Sequence, residues 1–337
     1  MAKINAALCS FGMSGWVFHA PFLHLHDGYN LYAVWERSQK LAHEKYPAII
    51  SYDNYETLLQ DKNVDLVIVN TPNYTHYEYA KMALTAGKHV IVEKPFVINS
   101  VEGQELISIA EMNNVKLSVY QNRRWDSDFL TVKSIIEQKK LGDIVEFESH
   151  FDRYSEVLSY KLHKETPGNG TGNLYDLGSH LIDQALHLFG LPNSVFADIG
   201  IVRNISKVDD YFELLLFYDT LRVRIHSTYL AKEQPTGYVI HGTKGSFIKP
   251  KTNVQEVALV NHIQPNNRSW GAEKEKDWGL LHTNFNGQEI KEFVPTIAGN
   301  YMQYYNEIYE SICNDKPLPV TASEALNVIK IIELAYK

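Results

Sequence analysis

At 337 residues the chain exceeds one ordinary hydrophobic core, and a prior of about 150 residues per domain divides it in two. Its 45% hydrophobic and 21% charged composition excludes a disordered chain, and a net charge of −8 offers no footprint for nucleic acid or an anionic membrane. Two cysteines, Cys9 and Cys313, are too few for a disulfide framework or a zinc cluster, so a reducing compartment and no metal site are expected. The start of the chain shows no leader pattern, and no window nears the roughly 18 apolar residues of a membrane span. A cytoplasmic protein is expected.

Short apolar runs at 3–9, 31–35, 49–52, 65–69, 88–92 and 116–120 read as strands. Amphipathic stretches at 15–26, 39–46, 54–60, 75–86 and 100–113 read as the helices between them, with Ser100 opening the last one. This alternation predicts an α/β Rossmann domain over 1–122, a doubly wound parallel sheet. Beyond residue 123 the rhythm changes. A helix at 127–139 leads into a long alternating strand from Ile144 to Tyr154, a Gly-rich loop at 167–172 and a helix over 178–189. Strand-like runs at 194–203, 211–218, 221–229, 237–242 and 245–249 then predict an α+β domain over 123–337 with a large, mostly antiparallel open sheet. Residues 261–287 read as a long surface loop, and helices close the chain near 299–314 and 321–336.

Three places carry chemistry. After the first strand, Ser10-Phe11-Gly12-Met13-Ser14-Gly15 occupies the G-x-G-x-x-G frame with serine in the first position. Gly12 would let the backbone approach a pyrophosphate and Gly15 would let helix and strand pack closely, so Ser10, Gly12, Met13 and Ser14 are candidate cofactor contacts. The competing reading is an ordinary strand-to-helix turn. Glu36 stands at the end of strand two, where a carboxylate can bind a ribose diol, and taken alone it tilts the choice toward NAD. Arg37 and Ser38 complicate that choice, because a guanidinium can bind the 2′-phosphate of NADP. Either NAD or NADP is therefore expected.

Strand five ends in Glu93-Lys94-Pro95 at the carboxyl edge of the sheet, where ligands of open α/β sheets bind. The residue before proline is conformationally restricted, and a cis bond to Pro95 is open to it, so the Lys94 ammonium can be aimed. An aimed lysine in a dry cleft can hold a substrate hydroxyl and exchange its proton. The bland alternative is a solvated lysine at a strand end. Strand four ends in Asn70-Thr71-Pro72-Asn73-Tyr74-Thr75-His76, which makes Thr71, Pro72 and His76 further candidates. In the second domain Asp176 and His180 stand at i and i+4, so on a helix they share a face and the carboxylate can orient the imidazole as an acid or base. A capped helix start with a partly buried histidine is the alternative.

Together and in this order, the Gly-rich turn, Glu93-Lys94-Pro95 and the Asp176 to His180 helix resemble the Gfo/Idh/MocA oxidoreductase family over essentially the whole chain. Gln121-Asn122-Arg123-Arg124-Trp125-Asp126, Tyr175-Asp176-Leu177-Gly178-Ser179-His180 and 241–249 are similar to the branch that includes a bacterial NADP-dependent scyllo-inositol dehydrogenase. The resemblance implies reversible hydride transfer between NAD(P) and a polyol, inositol or sugar carbon. Lys94, Asp176 and His180 match the family's catalytic trio, with Glu93 and Lys94 also near the cofactor. Asn122, Arg123 and Tyr154 become candidates for the substrate pocket, Trp270 for a covering loop, and Arg124 and Trp125 for an anchor of the crossover. It also implies a homodimer or higher homo-oligomer paired through the open sheet face. Ser10 for glycine, and Trp16 where many relatives carry arginine, bear on cofactor affinity. Two further readings stay open: a dinucleotide-dependent sugar sensor without turnover, and an enzyme acting on a dihydrodiol or bile-pigment-like molecule.

Overall fold

The computed structural model describes residues 3–37, 39–159 and 161–337, so Ser38 lies outside the described residues. Two units form: Met1–Asn122 with Gln255–Trp270 and Tyr301–Leu326, and Arg123–Val254 with Gly271–Asn300 and Asn327–Lys337. The chain thus crosses between units more than once, where the sequence suggested one boundary after residue 122. Packing explains the first unit's share of the C-terminal region. The Ser118 hydroxyl donates to the Val320 carbonyl at 2.7 Å and lies 2.9 Å from the Tyr304 hydroxyl, while the Tyr304 ring stands edge-on to Tyr120 with centroids 4.9 Å apart.

In the first unit β1 (Ile4–Leu8), β2 (Tyr29–Trp35), β3 (Ile50–Tyr52), β4 (Leu66–Val69), β5 (His89–Glu93) and β6 (Leu117–Tyr120) make a parallel sheet in the order β3-β2-β1-β4-β5-β6. The central strands read as unbroken apolar runs because a parallel sheet is covered on both faces, and Ala7, Leu8, Val67, Ile68, Val69 and Ile91 are all fully buried. The strand order reverses between β1 and β4. The crevice beyond their carboxyl ends is where such a sheet binds ligands. The helix Ser100–Met112 starts at Ser100 as expected, and Asn99 is its cap, extended in backbone, with its side chain accepting the Glu102 N–H at 3.0 Å.

In the second unit β7 (Ile144–His150), β8 (Ser194–Gly200), β9 (Tyr211–Phe217), β10 (Arg222–Thr228), β11 (Tyr238–Gly242), β12 (Gly245–Lys249), β13 (Gly279–Phe285) and β14 (Gln288–Val294) form one sheet, ordered β14-β13-β12-β11-β7-β10-β9-β8. Only β7 and β10 pair in parallel. One face buries Phe147, Leu214, Ile225, Ile240 and Phe247, and the helices Ser127–Glu137 and Ser179–Phe189 pack against the sheet. The other face is open, which is why the strands alternate.

Two expectations change here. The strand expected to run to Tyr154 ends at His150, and Tyr154 keeps only an isolated bridge to Leu230. The segment 261–287 is not one loop, because β13 begins at Gly279 and pairs with β14 across Asn286-Gly287. Those two residues have φ of 52° and 79°, the left-handed geometry that a two-residue Asn-Gly hairpin turn demands. A helix at Val254–Val260, also unforeseen, precedes them.

Inside this unit the Lys249 ammonium meets the Glu273 carboxylate at 2.5 Å with neither side chain accessible. Ser127, Thr252 and Thr296 donate to the same carboxylate. Removing one partner of such a pair leaves a buried charge uncompensated. Glu273→Ala should therefore lower unfolding free energy by about 3–5 kcal/mol, read from urea denaturation, with Lys249→Met/Glu273→Leu recovering most of that loss.

Candidate active site

The departure from the glycine frame has a local explanation. Ser10 has no positive φ, and its hydroxyl donates to the Asn70 carbonyl at 3.0 Å, while its backbone N–H and C=O bond the Asn70 side chain at 3.0 and 2.9 Å. Serine thus stitches the end of β1 to the end of β4 across the switch point. A Cβ on Gly15 would stand 2.4 Å from the Ser10 carbonyl oxygen, so that glycine is set by close helix-to-strand approach. A Cβ on Gly12 would meet nothing within 4 Å, and Gly12 is exposed, which leaves its backbone open to a ligand. Met13 and Ser14 begin the helix that follows.

Ser14 links this turn to the second motif. Its hydroxyl donates to Glu93 Oε1 at 2.7 Å, His19 Nε2 lies 3.0 Å from the same oxygen, and the Lys94 N–H donates to Oε2 at 3.1 Å. Burial alone would raise the Glu93 pKa, but His19, Ser14 and Lys94 outweigh it and hold the carboxyl at about 2. His19 Nδ1 in turn lies 2.8 Å from the Tyr305 hydroxyl, which donates to the Phe18 carbonyl. Lys94 is half-buried beside this cluster, and its bond to Pro95 is cis.

A cleft of about 300 Å³ opens beside the turn, lined by Ser10, Gly12, Glu36, Arg37, Thr71 and Pro72 among others. Trp35, Gln39, Leu41, Tyr74 and Tyr79 also line it and were missed by motif reading. Tyr79 carried a usable signal, one helical turn beyond Thr75 on the same helix face. The cleft fits the adenosine end of NAD or NADP: an open glycine backbone, apolar and aromatic walls, and polar groups at the strand ends. Glu36 lines the cleft with both carboxylate oxygens already bonded within the fold. It is 6% exposed, with Oε1 accepting the Ala42 N–H at 3.2 Å and Oε2 the Ser51 hydroxyl at 2.6 Å. Arg37 is exposed at the rim. His76 is buried and does not line the cleft; its two ring nitrogens lie 2.8 Å from the Pro95 carbonyl and 3.0 Å from the Thr71 carbonyl, bracing the two turns. Burial pushes its pKa down.

In the second unit Asp176 sits in a wide helical turn, Leu174–Gly178, that runs into the helix Ser179–Phe189 carrying His180. Asp176 Oδ1 accepts from the Lys164 ammonium at 2.7 Å, and His180 is 4% exposed. Asp209 starts this helix from across the chain: its carboxylate accepts the Leu174 N–H at 2.8 Å, and a Cβ on Gly172, at φ +96°, would strike it. Neither Lys164 nor Asp209 stands out in the sequence, because each gains its role by tertiary proximity. Arg123 is 6% exposed and donates to Asp126 and Asn253, both at 3.1 Å, so it is part of a buried network. Asn122 is buried, and Tyr154 is 41% exposed. Arg124 makes a bidentate pair with Asp183 at 2.8 and 2.7 Å, and the Trp270 indole donates to Gln255 at 3.1 Å.

A 3-2-1-4-5-6 parallel sheet with a glycine turn at its switch point is the architecture of a dinucleotide-binding Rossmann fold, and here it is followed by an antiparallel-rich sheet backed by helices. The model of the oxidoreductase family's NAD-binding Rossmann fold matches residues 4–121, and that of its C-terminal alpha/beta domain matches residues 133–337. The chain belongs to the Gfo/Idh/MocA oxidoreductase family, and its dinucleotide is NAD or NADP. It is 39% identical to the scyllo-inositol 2-dehydrogenase (NADP(+)) IolW of Bacillus subtilis, over 99% of this chain and 93% of that one. Among solved structures, a Bacteroides fragilis protein is 47% identical with a TM-score of 0.91, covering 99% of this chain and 96% of that one. The yvaA protein of Bacillus subtilis is 38% identical with a TM-score of 0.96, over 99% and 95%.

Folding depresses the Glu93 pKa, so its stabilisation is complete above the ordinary value of 4.5 and fades as pH falls toward 2. In urea melts of the cofactor-free protein across that range, Glu93→Gln should show a flatter pH dependence than wild type. Parallel curves would show that this carboxylate is not the one titrating.

Proposed function

We propose that the protein is a dehydrogenase that transfers a hydride reversibly between NADP and a hydroxyl-bearing carbon of a polyol, an inositol or a sugar. The observation that carries this reading is the Glu93 cluster, which ties the dinucleotide turn to the residue before Lys94 and so fixes an ammonium-bearing backbone at the carboxyl edge of the sheet. Similarity to an enzyme named for scyllo-inositol and NADP supports the substrate class.

The bound nicotinamide supplies the hydride acceptor. Lys94 Nζ binds and polarises the reacting oxygen, and the His180 imidazole takes the hydroxyl proton during oxidation and returns it during reduction. Asp176 positions the substrate and His180 from one helical turn away. Asn122, Arg123 and Tyr154 are assigned to the substrate side, Arg123 by holding its neighbours rather than by an exposed guanidinium. Ser10, Gly12, Met13 and Ser14 receive the pyrophosphate, and Thr71 and Pro72 shape the opposite wall, with His76 bracing it from behind.

NADP is favoured over NAD because both Glu36 carboxylate oxygens are engaged inside the fold while Arg37 faces outward. Two copies pair through the open sheet face, where Phe196, Ile248 and Phe293 are 58%, 38% and 63% exposed. Among the described residues no helix is long and apolar enough to cross a membrane. With a buried and an exposed free thiol, Cys9 and Cys313, the cytoplasm is the proposed compartment.

A panel of polyols and aldoses, assayed by NADPH absorbance, tests the reaction. Lys94→Ala should lower kcat by roughly 100-fold or more while NADP affinity stays near wild type, and near-normal turnover would remove Lys94 from the chemistry. Measured cofactor binding with no turnover on any substrate would instead favour the sensor. Arg37→Ala should raise the KM for NADP by about tenfold and leave that for NAD nearly unchanged; equal effects on both would assign the 2′-phosphate elsewhere.

A further inference from the structure

We propose that His150, Asp152 and His226 form a binding site for one divalent metal ion of the zinc class at the open face of the eight-stranded sheet. His150 and His226 are register partners on the parallel strands β7 and β10, so their side chains leave the sheet on the same side. Asp152 lies two residues beyond His150, again on that side. One donor atom from each of the three lies within 4.8 Å of the others.

The distances suit a small coordination sphere. His226 Nδ1 is 2.9 Å from Asp152 Oδ1, and His150 Nδ1 is 3.5 Å from Asp152 Oδ2. At bonds of about 2.0–2.2 Å, the ligand atoms of a tetrahedral zinc stand about 3.3 Å apart, so two edges of the sphere are already near their bound length. His150 Nδ1 and Asp152 Oδ2 are both buried and have no hydrogen-bond partner among the described residues, and the Asp152 side chain is 1% exposed. Buried polar atoms are rarely left so, and an ion between these two would complete both.

The surroundings are those of a supported ligand set. Glu148 Oε2 stands 3.5 Å from His150 Nε2, the ring nitrogen that Nδ1 coordination leaves outside, which is the carboxylate-to-histidine support that metal-bound imidazoles commonly have. The Thr228 N–H donates to Asp152 Oδ1 at 2.9 Å and orients the carboxylate. Two imidazoles and one carboxylate select zinc, cobalt or nickel over magnesium or calcium, which prefer all-oxygen cages. Three protein donors leave a fourth position for water. The ion would clamp β7 to β10. No donor is among the groups assigned to hydride transfer, so the site stands or falls apart from the proposed reaction.

The test uses the full-length chain, stripped with chelator and dialysed against micromolar zinc chloride before elemental analysis. One zinc per chain is expected for wild type, and none for His150→Gln/His226→Gln. Cobalt in place of zinc should give intense visible bands of a tetrahedral ion that the same double variant lacks. Circular dichroism and NADP binding report whether the variants fold. Should the double variant unfold, Glu148→Gln keeps all three donors and is expected to bind zinc about 10–100-fold more weakly. A folded wild type that takes up no zinc, or a folded double variant that keeps its zinc, overturns the proposal, as does unchanged affinity in Glu148→Gln.

Discussion

Glu93 carries its charge at the carboxyl end of β5, surrounded by the Ser14 hydroxyl, the His19 imidazole and the Lys94 N–H, all within 3.1 Å. An ionised carboxylate in so closed a place persists only if each oxygen is met by a donor, and those donors come from the first helix and from the turn after β5. Satisfying one charge therefore sets the position of the Gly-rich turn against the Lys94-Pro95 turn. The requirement extends further, because His19 also meets Tyr305, which belongs to a helix near the end of the chain. This is one physical reason that the first unit reclaims residues 301–326.

The dinucleotide turn shows how a motif can depart from its pattern and keep its geometry. Serine at the first position is not a defect once its hydroxyl reaches the Asn70 carbonyl, since that bond joins the two strands between which the sheet order reverses. Glu36 is held in the same way. It occupies the position from which a carboxylate reads a ribose and lines the cleft, while the Ala42 N–H and the Ser51 hydroxyl each bond one of its oxygens. Burial and partner geometry decide whether an acidic residue faces a ligand or braces its own loop.

The second unit solves a different problem. A sheet covered on one face needs helices to bury its apolar side, and their polar anchors must be satisfied within the fold. Arg124 and Asp183 do this as a bidentate pair at 2.8 and 2.7 Å, and Gln184 links the Arg123 carbonyl to the Tyr238 hydroxyl. Asp209 and Gly172 fix where the wide turn bearing Asp176 begins. The polar network thus places the Asp176 and His180 helix, and the apolar face supplies most of the burial.

Strand and helix periodicity, the turn residues and the three motifs were enough to read a parallel Rossmann sheet, a mostly antiparallel second sheet and the candidates Lys94, Asp176 and His180, because each of these rests on near-neighbour spacing along the chain. The Asn286-Gly287 hairpin is equally local, since its two left-handed residues are the Asn-Gly pair such a turn demands. What no local pattern carries is the pairing of distant groups: Ser10 with Asn70, Glu93 with His19 and Tyr305, Lys249 with Glu273, His226 with Asp152. Spacing along the chain determined most of the elements that form and which side chains share a face. Only the tertiary structure decided where each charge finds its partner, because that depends on which strands become neighbours after the chain has folded.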